Sequence, residues 1–232
     1  MKLQLQIEMN EALFVRNPEG TELGKKIIKH SIQIIHKTGL EAFTFKKLAE
    51  DIGTTEAGVY RYFTNKHILL IYLTSWYWGW LEFQISFHTN NIKDPTIRLK
   101  KAIKLLAVAV EDDKKTNHIN ETLLHELIIA EGSKAYLTKQ VGADNKQQFF
   151  KPYKDLCAVI AKIISEINPK YKYPNSLAST IIEMAHFQNF FMTNLPSLTD
   201  FGNTKGKTEI ICFLNDLAFS NIKNGRMAES AA

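Results

Sequence analysis

The chain of 232 residues is long enough to bury a substantial core and to hold one or two domains. Its content of 45% hydrophobic and 23% charged residues is typical of a soluble globular protein, and no apolar run approaches the about 18 residues that a membrane span needs. The net charge of +5 permits a nucleic-acid partner without requiring one. The two cysteines, Cys157 and Cys212, lie in apolar helical patterns without zinc-site spacing, which predicts buried, reduced thiols.

The first 20 residues are predicted to be an extension that either packs on the remainder or is disordered. Met1 to Met9 alternates polar and apolar residues and has no continuous apolar segment of the kind found in secretory signals, so we expect a cytoplasmic protein. A first helix is predicted from Thr21, which caps it, to Thr38, with Gly39 ending it.

Two short helices are predicted next, joined by a tight turn. Thr44 caps the first helix, whose apolar residues recur at i, i+3, i+4 and i+7: Phe45, Leu48, Ala49 and Ile52. Gly53 follows where a left-handed residue ends a helix, and Thr54 and Thr55 then offer the cap for a second helix, Glu56–Phe63. A short helix, a glycine-containing turn and another helix are typical of a helix-turn-helix.

The rest of the chain has helical periodicity throughout and predicts an all-α fold. A polar loop, Glu111–Lys115, and a short helix or turn, Lys134–Gly142, interrupt the pattern. Six longer helices are predicted: Lys66–Asn90, Asp94–Val110, Asn117–Gly132, Asn145–Asn168, Ser176–Asn194 and Thr208–Lys223. The first of these contains all three tryptophans and is apolar nearly all round, so it must be covered on several sides.

Residues Thr21 to Leu70 resemble the DNA-binding domain of the tetracycline repressor (TetR) family. About ten positions agree at fixed spacing, and they fall in these groups: Phe43-Thr44, Leu48-Ala49, Ile52-Gly53, Val59-Tyr60-Arg61-Tyr62-Phe63, Asn65-Lys66 and Leu69. The resemblance implies double-stranded operator DNA as a partner and predicts these contact residues: Thr44, Lys46, Thr54, Thr55, Glu56, Ala57, Gly58, Tyr60, Arg61, Tyr62 and Lys66.

Glu56 departs from the family pattern, which often has a basic or small residue at this position. A carboxylate accepts a hydrogen bond from cytosine N4 but repels the phosphates. The operator sequence is therefore open, and so is the role of the N-terminal extension, since such arms sometimes enter the minor groove in related repressors.

The resemblance also implies a ligand-responsive repressor that binds a palindromic operator as a homodimer and is released by a small apolar or aromatic effector. We expect an N-terminal extension (1–20), a helix-turn-helix domain (21–64), a ligand-binding and dimerisation domain (65–223) and a tail (224–232). The predicted ligand-binding residues are Trp76, Trp80, Phe83, Phe87, His125, Tyr153, Cys157, His186, Phe187, Asn189 and Phe190. The predicted dimer interface comprises Ile181, Met184, Phe191, Ile210, Phe213, Leu214 and Leu217.

Two alternatives remain open on the sequence. The first is a ligand-binding protein that has the same helical fold and does not bind DNA. The second is a metal-dependent enzyme on a helical bundle, using Glu121, His125, Glu183 and His186, of which the last two form a Glu-x-x-His pair. Di-iron bundles need two such pairs, and only one is evident, so we expect no enzyme activity, no metal and no cofactor.

Overall fold

A computed structural model describes residues 7–108, 118–201 and 206–224. In these ranges the regular elements are short 3₁₀ turns and ten α-helices: α1 (Glu22–Ala42), α2 (Phe45–Ile52), α3 (Glu56–Tyr60), α4 (Lys66–Thr89), α5 (Pro95–Ala107), α6 (Glu121–Glu131), α7 (Val141–Lys146), α8 (Lys151–Ile167), α9 (Pro174–Asn194) and α10 (Gly206–Asn224). The predicted all-α fold is confirmed. None of the helices in these ranges has the length and apolar content required to cross a membrane.

Helix caps in the structure follow the sequence signals closely at the start of the chain. The hydroxyl of Thr21 accepts a hydrogen bond from the amide of Gly24 at 3.0 Å and begins α1. Gly39 has φ +78° and ψ 160°, a conformation that breaks the helix and favours glycine. One further helical turn continues to Ala42, beyond the predicted end.

The predicted continuous helix Asn145–Asn168 is wrong at its beginning. Helix α7 ends at Lys146 and α8 begins at Lys151, and Gln148 between them has φ +61°. The amide of Phe149 donates to the carbonyl of Asp144 at 3.2 Å and that of Gln148 to Asn145 at 3.1 Å, the bond pair of a Schellman ending. Glycine usually occupies this left-handed position, so the apolar periodicity alone gives no sign of the break.

The helices form two compact units, and the predicted domain boundaries remain a prediction. The first unit comprises Met1–Trp80 and Val110–Pro152, and the second comprises Leu81–Ala109 and Tyr153–Ala232. Within the first, α1 packs against α2 and α6, so the helix-turn-helix is not a separate compact body. Within the second, α5, α9 and α10 pack against one another. The predicted loop Glu111–Lys115 and the tail after Asn224 lie outside the described residues.

The described part of the N-terminal extension, residues 7–20, packs within the first unit. Leu13 is fully buried. The backbone amide of Val15 donates to the carbonyl of Tyr62 at 2.9 Å, directly after α3. Of the two expectations for this segment, the structure shows the packed one for these residues.

Candidate nucleic-acid interface

The turn between α2 and α3 has the geometry that its residues favour. The Thr44 hydroxyl accepts from the Lys47 amide at 3.2 Å and begins α2. Gly53 ends α2 in the left-handed region (φ 70°, ψ 41°), and the amide of Thr54 donates to the Ala49 carbonyl at 2.9 Å. Only three residues therefore lie between the end of α2 and the start of α3.

The helix-turn-helix has a buried side and an exposed side. Its buried apolar residues are Phe45, Leu48, Ala49, Val59 and Phe63. On α3 and just beyond it, the exposed residues are Thr55, Glu56, Ala57, Tyr60 and Arg61. The Tyr60 ring is 48% exposed and packs edge-on against Phe45, with 5.0 Å between centroids, so its outer edge is free to meet a partner. The buried apolar residues therefore fix α3 on one side, and its polar and small side chains face outward.

The start of α3 is compact because of its small residues. The Thr55 hydroxyl accepts from the Gly58 amide at 3.1 Å. A Cβ at Gly58 would lie 2.8 Å from the Thr54 hydroxyl oxygen, so a larger residue would require Thr54 to move. Thr55 therefore caps α3, and Thr54 packs against Gly58. The DNA contacts predicted for both residues remain predictions.

Tyr62, one of the predicted DNA contacts, has a buried side chain. Its side chain is 2% exposed, and its hydroxyl lies 2.8 Å from that of Thr21. The Arg16 guanidinium sits over its ring, 5.7 Å from the centroid. The side chain is therefore enclosed within the fold, and its predicted DNA contact remains a prediction.

Two lysines of the motif have structural partners that the sequence analysis missed. The Lys47 ammonium donates to the Ala42 carbonyl at 2.7 Å. The Lys66 ammonium donates to the carbonyls of Leu40 at 3.0 Å and Glu41 at 3.3 Å. Cations near the last carbonyls of a helix stabilise its end, so both residues fix the C-terminal end of α1. An ammonium has three hydrogens, which leaves Lys66 one donor for a phosphate.

The surface charge of this region depends on lysine and arginine. Between Thr21 and His67 the chain has eight basic residues and five acidic ones, a net +3 of its total +5. Each of the three histidines in this range lies next to a carboxylate: His30 at 2.6 Å from Asp51, His36 at 2.7 Å from Glu126 and His67 at 3.2 Å from Asp144. The last two pairs join α1 to α6 and α4 to α7.

Three of the predicted ligand-binding residues come together in the first unit. Trp76 and Trp80 stack with their centroids 6.4 Å apart, and both are buried. The Tyr77 hydroxyl lies 2.7 Å from Nδ1 of His125, and the two side chains are buried. Burial raises the pKa of Tyr77, so its phenol stays protonated. Tyr77 was not among the predicted ligand-binding residues, because apolar periodicity assigned it to the core.

A second group of predicted ligand-binding residues lies in the second unit. The Tyr153 hydroxyl donates to a carboxylate oxygen of Glu183. Burial, with a smaller effect of the same carboxylate, raises the pKa of Cys157 to about 11. His186 is buried, and the Asn189 amide donates to the carbonyls of Ala107 at 3.1 Å and Ala185 at 2.8 Å. Asn189 is therefore engaged in helix packing.

Three phenylalanines of the predicted ligand-binding set are partly exposed. Phe83, Phe87 and Phe187 are 37%, 66% and 39% exposed, and their contact with a ligand remains a prediction. Phe190 is half-buried. Apolar side chains at helical spacing indicate burial but do not say which positions of a nearly uniform apolar helix face outward.

The residues of the predicted dimer interface differ in burial within the single chain, and their role in a dimer remains a prediction. Ile181, Ile210 and Leu214 are fully buried within the single chain, because α5, α9 and α10 pack against one another. Met184, Phe191 and Leu217 are half-buried, and Phe213 is exposed. Two exposed leucines, Leu195 and Leu198, follow α9 and were not predicted to lie at the surface.

The residues considered as metal ligands have other neighbours. His125 contacts Tyr77, and Glu183 accepts a hydrogen bond from Tyr153. In the described part of the chain, no three histidine, cysteine, aspartate or glutamate side chains lie together as a metal site would require.

Comparison with known proteins gives a family match and a fold match. The family model for bacterial regulatory proteins of the tetR family matches residues 27–73. No curated protein matches the sequence significantly.

Several solved structures share the fold at low sequence identity. AibR in complex with isovaleryl coenzyme A and operator DNA has a TM-score of 0.54 at 14% identity, over 83% of this chain and 97% of that one. The fatty acid degradation regulator FadR from Bacillus halodurans has a TM-score of 0.56 at 18% identity, over 83% and 96%. A structure reported as the molecular basis for control of antibiotic production by bacterial hormones has a TM-score of 0.57 at 15% identity, over 87% and 98%.

The matched residues span α2, the Gly53 turn and α3, together with most of α1 and the start of α4. The capped helices, the left-handed glycine and the exposed face of α3 are the features that this motif requires. Residues 27–73 therefore form a helix-turn-helix domain of the kind that the tetR family model of bacterial regulatory proteins describes.

Proposed function

We propose that the protein is a ligand-responsive transcriptional repressor that binds operator DNA through α2 and α3. The observation that carries the proposal is the exposed face of α3, supported from below by buried Phe45, Val59 and Phe63. A helix held in this way enters the major groove and presents its side chains to the base edges.

The exposed residues fall into two groups. One group can contact the base edges of DNA, and the other can contact its phosphate backbone. Ala57 offers a methyl group for apolar contact with thymine, and Glu56 offers an acceptor for cytosine N4. Lys46, Arg61 and the remaining donor of Lys66 supply cations for phosphates. Base contacts determine which sequence is bound, whereas the phosphate contacts supply most of the salt-dependent affinity.

We propose a homodimer, because two recognition helices reach one face of a palindromic duplex only when spaced by about 34 Å or a multiple of it. In the second unit, α9 and the segment after it expose Phe187, Leu195 and Leu198, while α10 exposes Phe213. Such an apolar surface suits a second copy of the chain. Phe187→Glu should convert the dimer to a monomer in sedimentation, whereas Phe87→Glu, at an exposed phenylalanine of α4, should leave it dimeric. A monomeric wild-type protein would contradict this arrangement.

We place the effector beside Trp76, Trp80 and His125 in the first unit. The indole nitrogen of Trp80 is buried and has no hydrogen-bond partner among the described residues. A buried donor of this kind favours a ligand that brings an acceptor, such as a carbonyl oxygen, on an apolar body. The structural neighbours include one protein with isovaleryl coenzyme A bound and one described as a regulator of fatty acid degradation, so acyl compounds belong in the first screen beside aromatic ones.

Release from DNA follows from differential affinity. A ligand that binds better to the conformation with the wrong spacing of the two recognition helices lowers operator affinity by the ratio of its affinities for the two states. Calorimetric titration should detect binding of an active compound to the wild-type protein and a loss of affinity in Trp80→Phe, which removes the indole donor. Equal affinity in both proteins would place the effector elsewhere.

The deciding experiment measures binding of the purified protein to the duplex upstream of its own gene, against a scrambled duplex, across a salt series. Selective binding that weakens steeply with salt supports the proposal. If neither this duplex nor a random-sequence selection gives a bound sequence, the chain is a ligand-binding protein that has this fold without DNA binding. A reporter transcribed from a bound operator then separates repression from activation.

A further inference from the structure

The N-terminal segment, residues 7–20, reaches the turn that follows the recognition helix; we call this segment the strap. The amide of Val15 donates to the carbonyl of Tyr62 at 2.9 Å. The Arg16 guanidinium covers the ring of the same tyrosine. Tyr62 lies between α3 and α4 and is buried. The strap therefore contacts this turn through two groups of one residue, the backbone carbonyl and the side-chain ring of Tyr62.

The other end of the strap reaches the start of α6. Glu19 accepts a hydrogen bond from the Tyr72 hydroxyl on α4 at 3.1 Å, and its second oxygen lies 2.8 Å from His118 Nε2. Burial, and to a lesser degree the Glu19 carboxylate, raises the pKa of Tyr72, so the phenol remains a donor. His118 precedes α6, and farther along α6 His125 contacts Tyr77 of α4. One carboxylate thus joins the strap, α4 and the entrance of α6.

Between these two ends the strap is closely fitted. Leu13 is fully buried, and the Phe14 ring meets Tyr72 edge-on at 6.4 Å. The Asn10 amide donates to the carbonyl of Gln147 at 2.8 Å. At Gly24 of α1, a Cβ would lie 2.2 Å from the carbonyl oxygen of Pro18, which shows how near the strap approaches the first helix. A segment with this many contacts transmits a displacement from one end to the other, because it has little freedom to absorb it.

We propose that the strap couples the entrance of α6 to the turn after α3, with Glu19 as the positioning residue at one end and the Val15–Tyr62 backbone bond at the other. The inference rests on the proposed function, since the turn matters to regulation only if α3 contacts DNA. A ligand that shifts α6 would then loosen the contacts of Glu19. Through the strap it would also loosen the turn that follows the recognition helix α3.

Hydrogen exchange on the full chain, without DNA, tests the coupling directly. The amides to follow are Val15, which donates to Tyr62, and Phe63, which donates to the Val59 carbonyl at 3.2 Å. Glu19→Ala removes the contacts with both Tyr72 and His118, whereas His118→Ala removes only the second. Each variant should speed exchange at both amides by about tenfold, because the contact between Glu19 and His118 is lost in both. The double variant should show no more than the larger single effect, since the two residues act as one link. Exchange at Phe63 that stays at the wild-type rate in His118→Ala overturns the proposal, and so do additive effects.

A matched pair of glycines tests the strap by a second route. Gly24→Ala should displace Pro18 and speed exchange at Val15 and Phe63, whereas Gly20→Ala, where a Cβ meets nothing within 4 Å, should change neither. Slow exchange retained in Gly24→Ala would contradict a closely fitted strap. Operator binding is measured separately on the same proteins. If the wild-type protein binds no DNA, the proposed function is contradicted and the exchange result still stands. If the wild-type protein binds DNA but exchange is unchanged in His118→Ala, only the proposed coupling through the strap is refuted.

Discussion

Tyr77 on α4 and His125 on α6 meet through a hydroxyl and a ring nitrogen 2.7 Å apart, both within the buried part of the first unit. The contact satisfies two polar groups that would otherwise be costly to bury. It also joins two helices that are far apart in the chain. The Tyr77 and Trp80 ring centroids are 6.3 Å apart, so the pair lies beside the proposed effector site.

Removing the Tyr77 hydroxyl should weaken the fold. Tyr77→Phe keeps the ring but removes its bond to His125, so we expect the free energy of unfolding at pH 7 to fall by about 1–2 kcal/mol. Urea unfolding followed by circular dichroism measures the change. Tyr173→Phe serves as the control, since Tyr173 is largely exposed, and an equal loss there would remove the argument for a special contact.

The same residue predicts how stability changes in alkali. Burial raises the pKa of Tyr77 above its ordinary value of 10.0, so the folded protein keeps a proton that the unfolded chain releases. The unfolded state binds fewer protons above pH 10, and stability must therefore fall as pH rises through this range. The fall between about pH 9 and 10.5 should be shallower in Tyr77→Phe, with Tyr72 responsible for part of the remainder. Identical pH dependence in both proteins would contradict the assignment.

Cys157 should be a slow nucleophile in the folded protein. Burial and the Glu183 carboxylate raise the pKa of its thiol to about 11, which leaves about one thiolate in a thousand at pH 8. Alkylation by iodoacetamide, followed by peptide mass spectrometry, should be at least about tenfold slower than in guanidinium. Glu183→Gln removes one of the two causes, lowers the pKa and should speed the reaction. A folded-state rate equal to the unfolded rate would place the thiol in solvent.

Gly53 should resist substitution because of its backbone and not because of crowding. A Cβ there meets nothing within 4 Å, yet φ is +70°. Gly53→Ala should therefore cost about 1–2 kcal/mol of stability, whereas Gly53→Asn should cost less. Gly142→Ala is the matched control, at an equally open site without a positive φ, and should be neutral or stabilising. Similar losses at both glycines would mean that the turn conformation is not what selects glycine.

Lys46 and Lys66 should differ in their effects on DNA binding and on stability. Lys46 is exposed on α2, so Lys46→Ala should weaken binding to all duplexes alike, lower the salt slope by about one and leave stability unchanged. Lys66→Ala should weaken DNA binding too, but it also removes two hydrogen bonds to the end of α1 and should lower the free energy of unfolding by about 1–2 kcal/mol. Fluorescence anisotropy across a salt series and urea unfolding separate the two effects. If Lys66→Ala is as stable as the wild type, the carbonyl contacts contribute little.

The amino-acid sequence by itself determined the helix-turn-helix, because each of its signals is local. Thr44 and Thr55 cap helices a few residues away, Gly53 adopts a conformation that its own lack of a side chain permits, and the apolar spacing of α2 needs no distant partner. The sequence also predicted the all-α class and most helix boundaries, since amphipathic periodicity is likewise local.

Tertiary packing alone decided which side of each strongly apolar helix faces solvent. In α4, α9 and α10 apolar residues occur nearly all round, so periodicity could not separate exposed Phe87 and Phe187 from buried Ile181. The contacts that hold the first unit together have the same origin. Tyr62 with Thr21, Lys66 with Leu40 and Glu19 with His118 join residues 26 to 99 positions apart, and no local pattern encodes the meeting of such distant side chains.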